Sequence, residues 1–444
     1  MEVSRFPCDP GPAAWNALLP EERPRPALKH SQTVDWLVIG AGFTGLSAAR
    51  RLSELHSGDR IAVLDASCVA EGPAGRNSGF MIDVPHDLTS SDYSGNAEHN
   101  QREIRLNRAG IDYARDAKHA YGMSDEAFCI SGKINGAITQ KGLAHNRAYA
   151  QHLDQLTEPY ELLDAASMQS ITGSESYIDG LYSPGSAMIQ PALFVRALAS
   201  GIESDRLTVY ENSPVVELTR EEAQWKVRTP DSFVTAPRVI LAVNGHLESF
   251  GFFKRSLMHV FTYGSMTCEL SQSEVKALGG QSRWALTPAD PLGTTVRRIS
   301  GVGGDRIIIR NRATFDPTLK VSDKRIARVA RDHDRSFRDR FPMLAKVKMQ
   351  YRWGGRLCLS RNNVPVFGEI DKNLYAACCQ NGLGTAKGMI SGKLVAELAS
   401  EAGSALLGDQ QANVTPVKLP PAPVASLGAN AYLRWGEYRA GKEL

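Results

Sequence analysis

The sequence has 444 residues, a formal net charge of +3, 42% hydrophobic residues and 22% charged ones. That length suits two domains or one large interrupted domain, in the proportions of an ordinary soluble globular chain. So small a charge excess argues against nucleic acid or a membrane surface as partner.

Residues 1–33 are rich in proline and polar groups, with Trp15 and Leu18 as the apolar anchors. They read as an irregular arm packed on the surface. An apolar run, 36–39 (WLVI), then leads into Gly40, Gly42 and Gly45, the spacing G-x-G-x-x-G. Gly40 permits a tight turn, Gly42 lets the backbone approach a pyrophosphate, and Gly45 lets the following helix pack on the strand. Phe43 and Thr44 open that helix, whose first N–H groups and positive dipole end suit phosphate. A second strand, 60–64 (RIAVL), ends at Asp65 and Ala66, about 20 residues past the last glycine, where an acid accepts ribose hydroxyls. A bare glycine turn is the alternative, and NAD and FAD both remain open at this point. A second glycine-flanked polar loop, Gly75, Arg76, Asn77, Ser78 and Gly79, follows at once, with His86 just beyond.

Residues 97–121 carry helical periodicity, residues 128–139 alternate with glycines and suggest a hairpin, and residues 142–156 read as another helix. A helix with proline in its first turn starts at Pro191. Strands are expected at 207–210, 213–218, 225–228, 233–235 and 238–245. Residues 260–270 and 306–310 give two more, and Ser322 caps a helix that runs to Pro342. The last strong block holds Trp353, Gly354, Gly355 and Arg356, then 362–368 (NNVPVFG), a strand at 374–378, and a glycine turn opening a helix to about Leu398. That turn contains Gly382, Leu383, Gly384 and Thr385. A Pro-rich tract and a more ordered tail, folded on the surface, finish the sequence.

The Arg76–Asn77 loop resembles the G-x-S-G-R-N-G-G segment of the D-amino-acid-oxidase-like flavoprotein superfamily. It resembles gamma-glutamylputrescine oxidase-like enzymes, with glycine and sarcosine oxidases further off. The resemblance extends over most of the chain, through Trp-Gly-Gly, Pro-x-x-Gly and the final Gly-x-Gly helix; Asn362 stands where the family usually has Asp. It implies an α/β fold class in a two-domain, α+β arrangement. A Rossmann-like FAD-binding domain, discontinuous in sequence, takes 34–90, 180–250 and 351–405. An antiparallel-sheet substrate domain takes 91–179 and 251–350, between the 1–33 arm and the 406–444 tail. It also implies that FAD contacts the glycines and polar residues above, the Val215 backbone and Ala242. The Gly384 helix terminus would stabilise charge on the reduced flavin pyrimidine.

The implied chemistry is oxidation of an amine or amino-acid C–N bond by hydride transfer to flavin N5. The imine then hydrolyses, and O2 or another acceptor takes the electrons. Such a reaction needs no compulsory general base. A substrate carboxylate wants a bidentate arginine, for which Arg297, Arg298, Arg310, Arg312 and Arg356 sit in suitable segments. Tyr263 and His86 are the remaining candidates, each also readable as a structural residue. Cys358 lies about three residues from the family's covalent flavin attachment point, so non-covalent FAD is expected.

Seven scattered cysteines, no Cys-x-x-Cys, no apolar leader and no run of about 18 apolar residues lead us to expect no metal, a reducing cytoplasmic setting and no transmembrane segment. Oligomeric state is open. The rival readings are a dehydrogenase feeding a quinone or protein, a flavoprotein subunit of a heteromeric opine or sarcosine oxidase, and a plain NAD dehydrogenase.

Overall fold

Apolar runs bounded by turn residues become the strands of a doubly covered sheet. In the computed structural model, which describes residues 1–85, 97–410 and 414–444, Trp36–Ile39, Ile61–Leu64, Leu207–Tyr210, Arg238–Leu241 and Leu374–Cys378 run parallel. Val366–Asp371 closes the edge antiparallel. Trp36–Ile39, Ile61–Leu64 and Leu374–Cys378 are buried at every position, because helices cover one face of the sheet and a four-stranded sheet covers the other. Two helices of this layer, Phe43–Leu55 and Ala386–Ala399, lie against each other. Their contact depends on Gly392, where a Cβ would sit 2.1 Å from the Thr44 carbonyl oxygen.

A second, eight-stranded sheet roofs the first. Its order is Met349–Leu359, Met258–Thr267, Arg306–Phe315, Thr295–Ile299, Trp284–Pro288, Lys133–Ala137, Asp179–Ser183, Glu161–Asp164. All its pairings are antiparallel except that of Trp284–Pro288 with Lys133–Ala137. The helix Asp323–Arg340 covers its outer face through Val329, Phe337 and Phe341. Two smaller sheets of four and three strands complete the fold.

Several elements differ from the sequence reading. Asp179–Ser183 and Met349–Leu359 pair within the eight-stranded sheet, although the segments 180–250 and 351–405 were grouped with the nucleotide-binding part. The expected hairpin over 128–139 does not form. Phe128–Ile130 pairs with Ala187–Ile189, whereas Lys133–Ala137 joins the large sheet. Gly132, at φ +70° beneath the Tyr182 ring, turns the chain from one sheet into the other. The expected tail contains a 19-residue helix, Ala422–Ala440, laid on the Arg306–Phe315 strand. Its Glu437 accepts from Arg312 and from the Ala313 amide. Proline in its first turn is compatible with a helix start, so the Pro-rich tract concealed it.

The outer helix also carries a titration signal. His333 is 1% exposed, and its Nδ1 lies 2.7 Å from Ser265 Oγ. Burial pushes its imidazole down to about 4. The native ring therefore stays neutral while the unfolded ring, at about 6.5, takes up a proton on acidification. Stability from this site is complete above about pH 6.5 and is lost as pH falls toward 4, a change on the order of 3 kcal/mol. Urea unfolding at pH 7.5 and at pH 4.5 should show the loss, and His333→Gln should show less of it. Equal pH dependence in both proteins would rule this source out.

Candidate active site

The glycine turn is shaped by backbone contacts. Gly40 has φ +106°, and a Cβ there would lie 2.5 Å from the Ala242 carbonyl oxygen. At Gly45 a Cβ would fall 1.7 Å from the Gly40 oxygen, so only glycine lets the helix start this close to the strand. Gly42 is the N-cap of Phe43–Leu55 and no side chain caps that terminus, which leaves its first N–H groups for a ligand. Asp65 is oriented in advance: its Oδ2 accepts from the Ala41 amide at 2.7 Å and its Oδ1 from the Ser67 amide at 3.0 Å. Burial pushes the Asp65 carboxyl up, and these backbone donors oppose the shift.

The loop after Asp65 is fixed from several sides. Asn77 Oδ1 accepts from the Gly79 amide, and Asn77 Nδ2 donates to the Ala74 carbonyl. Trp353 Nε1 donates to the Arg76 carbonyl and Trp15 Nε1 to the Asn77 carbonyl. At the far end Thr385 spends its hydroxyl on the Phe80 carbonyl rather than on capping its own helix. The Ala386–Ala399 terminus thus also presents uncapped N–H groups. Cys379, Asn381 and Gly382 all adopt positive φ there, backbone strain of the kind that clusters at ligand sites.

Between these termini runs a cavity of about 390 Å³, within the usual size range of ligand sites. Its floor carries Gly40, Gly42, Phe43, Thr44, Asp65, Ala66, Val215 and Ala242. Arg76, Asn77, Ser78, Gly79, Gly382, Leu383, Gly384 and Thr385 line it as well. Its roof is the inner face of the large sheet, including Thr262, Gly264, Thr287, Thr295, Ile308 and Arg310. Direct pairing of Arg310 with both Gly264 and Thr295 places these three on one face. The residues present fit a dinucleotide: two uncapped helix N-termini, an oriented carboxylate and glycines where any Cβ would intrude.

Not every expected residue faces the cavity. Gly45 and Gly75 act through packing, the latter because its Cβ would meet the Ala70 carbonyl oxygen at 1.9 Å. Gly354 donates its amide to Pro10, and Gly355 abuts the Arg76 backbone. Arg297 is buried and reaches across to the Ser78 and Ile189 carbonyls, with its guanidinium over the Trp15 ring. Burial pushes it down to about 9. It props the Arg76–Asn77 loop. Arg298 is tied to the Gly279 and Gln281 carbonyls, and Arg312 to Asp332 and Glu437. Tyr263 lines the cavity, while it packs with Val329 of the outer helix and bonds Thr314 through its hydroxyl. Cys358 is a buried residue of the cavity lining, where the hydrogen-bonded Cys379 thiol and burial push it well up, away from the reactive thiolate. His86 lies outside the described residues.

The arm, expected to pack on the surface, lines the cavity. Val3, Arg5, Phe6 and Pro7 line the cavity, and Asp9 pairs with Arg356 through two 2.8 Å bonds. The signal was there in Phe6 and Trp15, large apolar residues in a tract otherwise polar. Among the described residues no cluster suited to a metal occurs, and no helix is long and apolar enough to cross a membrane.

The sequence matches the family model for FAD-dependent oxidoreductases (DAO) over residues 35–398. It is 26% identical to the probable oxidoreductase OrdL of Haemophilus influenzae, over 87% of this chain and 86% of that one. It is also 26% identical to the gamma-glutamylputrescine oxidoreductase of Escherichia coli, over 84% and 85%. The fold is similar to that of glycine oxidase from Geobacillus kaustophilus, with TM-score 0.68 and 17% identity over 84% of this chain and 96% of that one. With a matching site and a match across four-fifths of its length, the chain belongs to the FAD-dependent oxidoreductase family, and its cofactor is FAD.

Proposed function

We propose that the protein oxidises the C–N bond of an amine that also carries a carboxylate, an amino acid or a close derivative. The observation that carries this is the charge of the cavity. Among the described residues lining it, Asp65 is the only carboxylate, and it belongs to the nucleotide end. Arg310 stands on the roof. A polyamine, with cations only, would meet a cation and no acid there. The gamma-glutamylputrescine oxidoreductase among the relatives is consistent with an amine substrate.

In this reading Arg310 binds the carboxylate and the roof orients the amine. Thr287 donates its hydroxyl proton to Asn135 Oδ1 at 2.7 Å, which leaves its lone pairs to accept an N–H. Bound FAD supplies the hydride acceptor, and the chain supplies position. The imine product hydrolyses in water; O2 is the proposed acceptor, with hydrogen peroxide as product. FAD is held non-covalently, because the Cys358 thiol is buried and protonated.

An anaerobic titration with a panel of amino acids and of the amines lacking their carboxylates tests this. Bleaching by amino acids alone, followed by one peroxide per turnover in air, is the expected result. Bleaching by simple amines or polyamines alone would overturn the substrate class. Recoloration only with a quinone would overturn the acceptor. Acid precipitation should release the flavin to the supernatant.

A further inference from the structure

We infer that residues 3–10 belong to the cofactor site, as a strap that runs along the FAD cavity and is latched by Asp9 and Arg356. The inference extends the family match, which begins at residue 35. The strap is tied at both ends of the cavity. At the nucleotide end the Val3 amide donates to the Val216 carbonyl at 2.9 Å and the Ser4 amide to the Ser249 carbonyl at 3.0 Å, next to the cavity residues Val215 and Phe250. At the other end the Pro10 carbonyl accepts from the Gly354 amide at 3.2 Å and from Arg76 Nη1 at 3.0 Å.

Its middle faces the cavity with unfinished surface. Phe6 lines the cavity yet is 48% exposed, an apolar ring that a cofactor in the cavity would cover. The latch is built like an interior pair: the Asp9 and Arg356 side chains are 7% and 5% exposed and meet in bidentate geometry. The remaining Arg356 nitrogen, Nη1, contacts His246 Nε2. Burial, with the adjacent Arg356 charge, pushes the His246 ring down to about 3, so it is neutral with the proton on Nδ1. That Nδ1 is buried, lines the same cavity through its ring, and has no protein partner among the described residues. Asp9 therefore acts as a positioning residue: it orders Arg356, which orders His246, which offers a donor to a ligand. Loss of the Asp9 charge leaves Arg356 buried and unpaired.

The test is FAD release, read without turnover. Flavin fluorescence gives the dissociation rate for the wild type, Asp9→Asn, Phe6→Ala and the remote surface variant Arg105→Gln. The expected result is release about tenfold faster or more for the two strap variants, with Arg105→Gln unchanged. A second measurement covers a variant that folds poorly. Arg5 is the one trypsin site before Lys29, because Arg23 and Arg25 each precede proline. In wild-type apoprotein FAD should slow cleavage after Arg5 severalfold. Release within twofold of wild type together with cleavage indifferent to FAD would overturn the strap. Wild-type protein that takes up no FAD would instead contradict the family assignment.

Discussion

Gly45→Ala should yield protein that purifies without its flavin. The new Cβ would lie 1.7 Å from the Gly40 carbonyl oxygen, 2.9 Å from its carbon and 3.3 Å from the Ala242 Cβ. None of these is the flexible end of a side chain, so the helix Phe43–Leu55 must retreat from the strand. Retreat carries its uncapped N-terminus away from the cavity and disturbs Gly40, whose φ of +106° already depends on the Ala242 backbone. The helix cannot move freely, because Gly392 and Gly388 of Ala386–Ala399 press on Thr44 and Phe43 from the other side. We expect FAD affinity to fall at least about 100-fold, roughly 2.7 kcal/mol, the scale of overpacking in a tight core. Fluorescence titration of apoprotein checks it. Gly428→Ala, in a helix with open space at the new methyl, serves as the contrast and should bind FAD normally. Full flavin content in Gly45→Ala would mean the turn tolerates the shift and the phosphate contact lies elsewhere.

The second large effect falls on substrate. Arg310→Gln should raise the concentration needed for anaerobic reduction by an amino acid about 10- to 100-fold, the worth of a charge-assisted bond to a carboxylate. It should change reduction by the matching amine, which lacks the carboxylate, by less than about threefold. The argument is one of position. Arg310 stands on the roof face beside Gly264 and Thr295, where a substrate above the cofactor would lie. Equal loss for both substrates would assign Arg310 a structural role and remove the support for a carboxylate.

The nucleotide-binding floor was legible because its chemistry is local. Strand, glycine turn and acid lie within 30 residues, and Gly40 and Gly45 are required by backbone contacts that the spacing already implies. The roof was less legible. Which of five arginines faces the cavity depends on strand register and on bulges such as that between Thr262 and Tyr263, and neither is written in the local pattern. Arg312 falls out of register at that bulge, and its partners come from residues 332 and 437. The C-terminal helix and the arm were hidden for the same reason. Their order comes from distant partners, Glu437 on Ala313 and Asp9 on Arg356, which local propensity does not record.

The latch also sets an order of events during synthesis. Asp9 is made well before its partner, Arg356, which is separated from it by 347 positions. The docking sites of Val3 and Ser4, at 216 and 249, appear well before it, so the arm is tied at one end long before the other end has a place to close. Contacts this remote in sequence form late, after the strands that carry them have assembled. The side of the cavity formed by residues 382–385 lies further along the chain than Arg356, so latch and cavity are completed together near the end, and an arm still open at that point lets FAD enter without displacing it. Closure over the loaded site would then be among the last steps of maturation, and a chain that closed empty would have to unlatch Asp9 before it could be loaded.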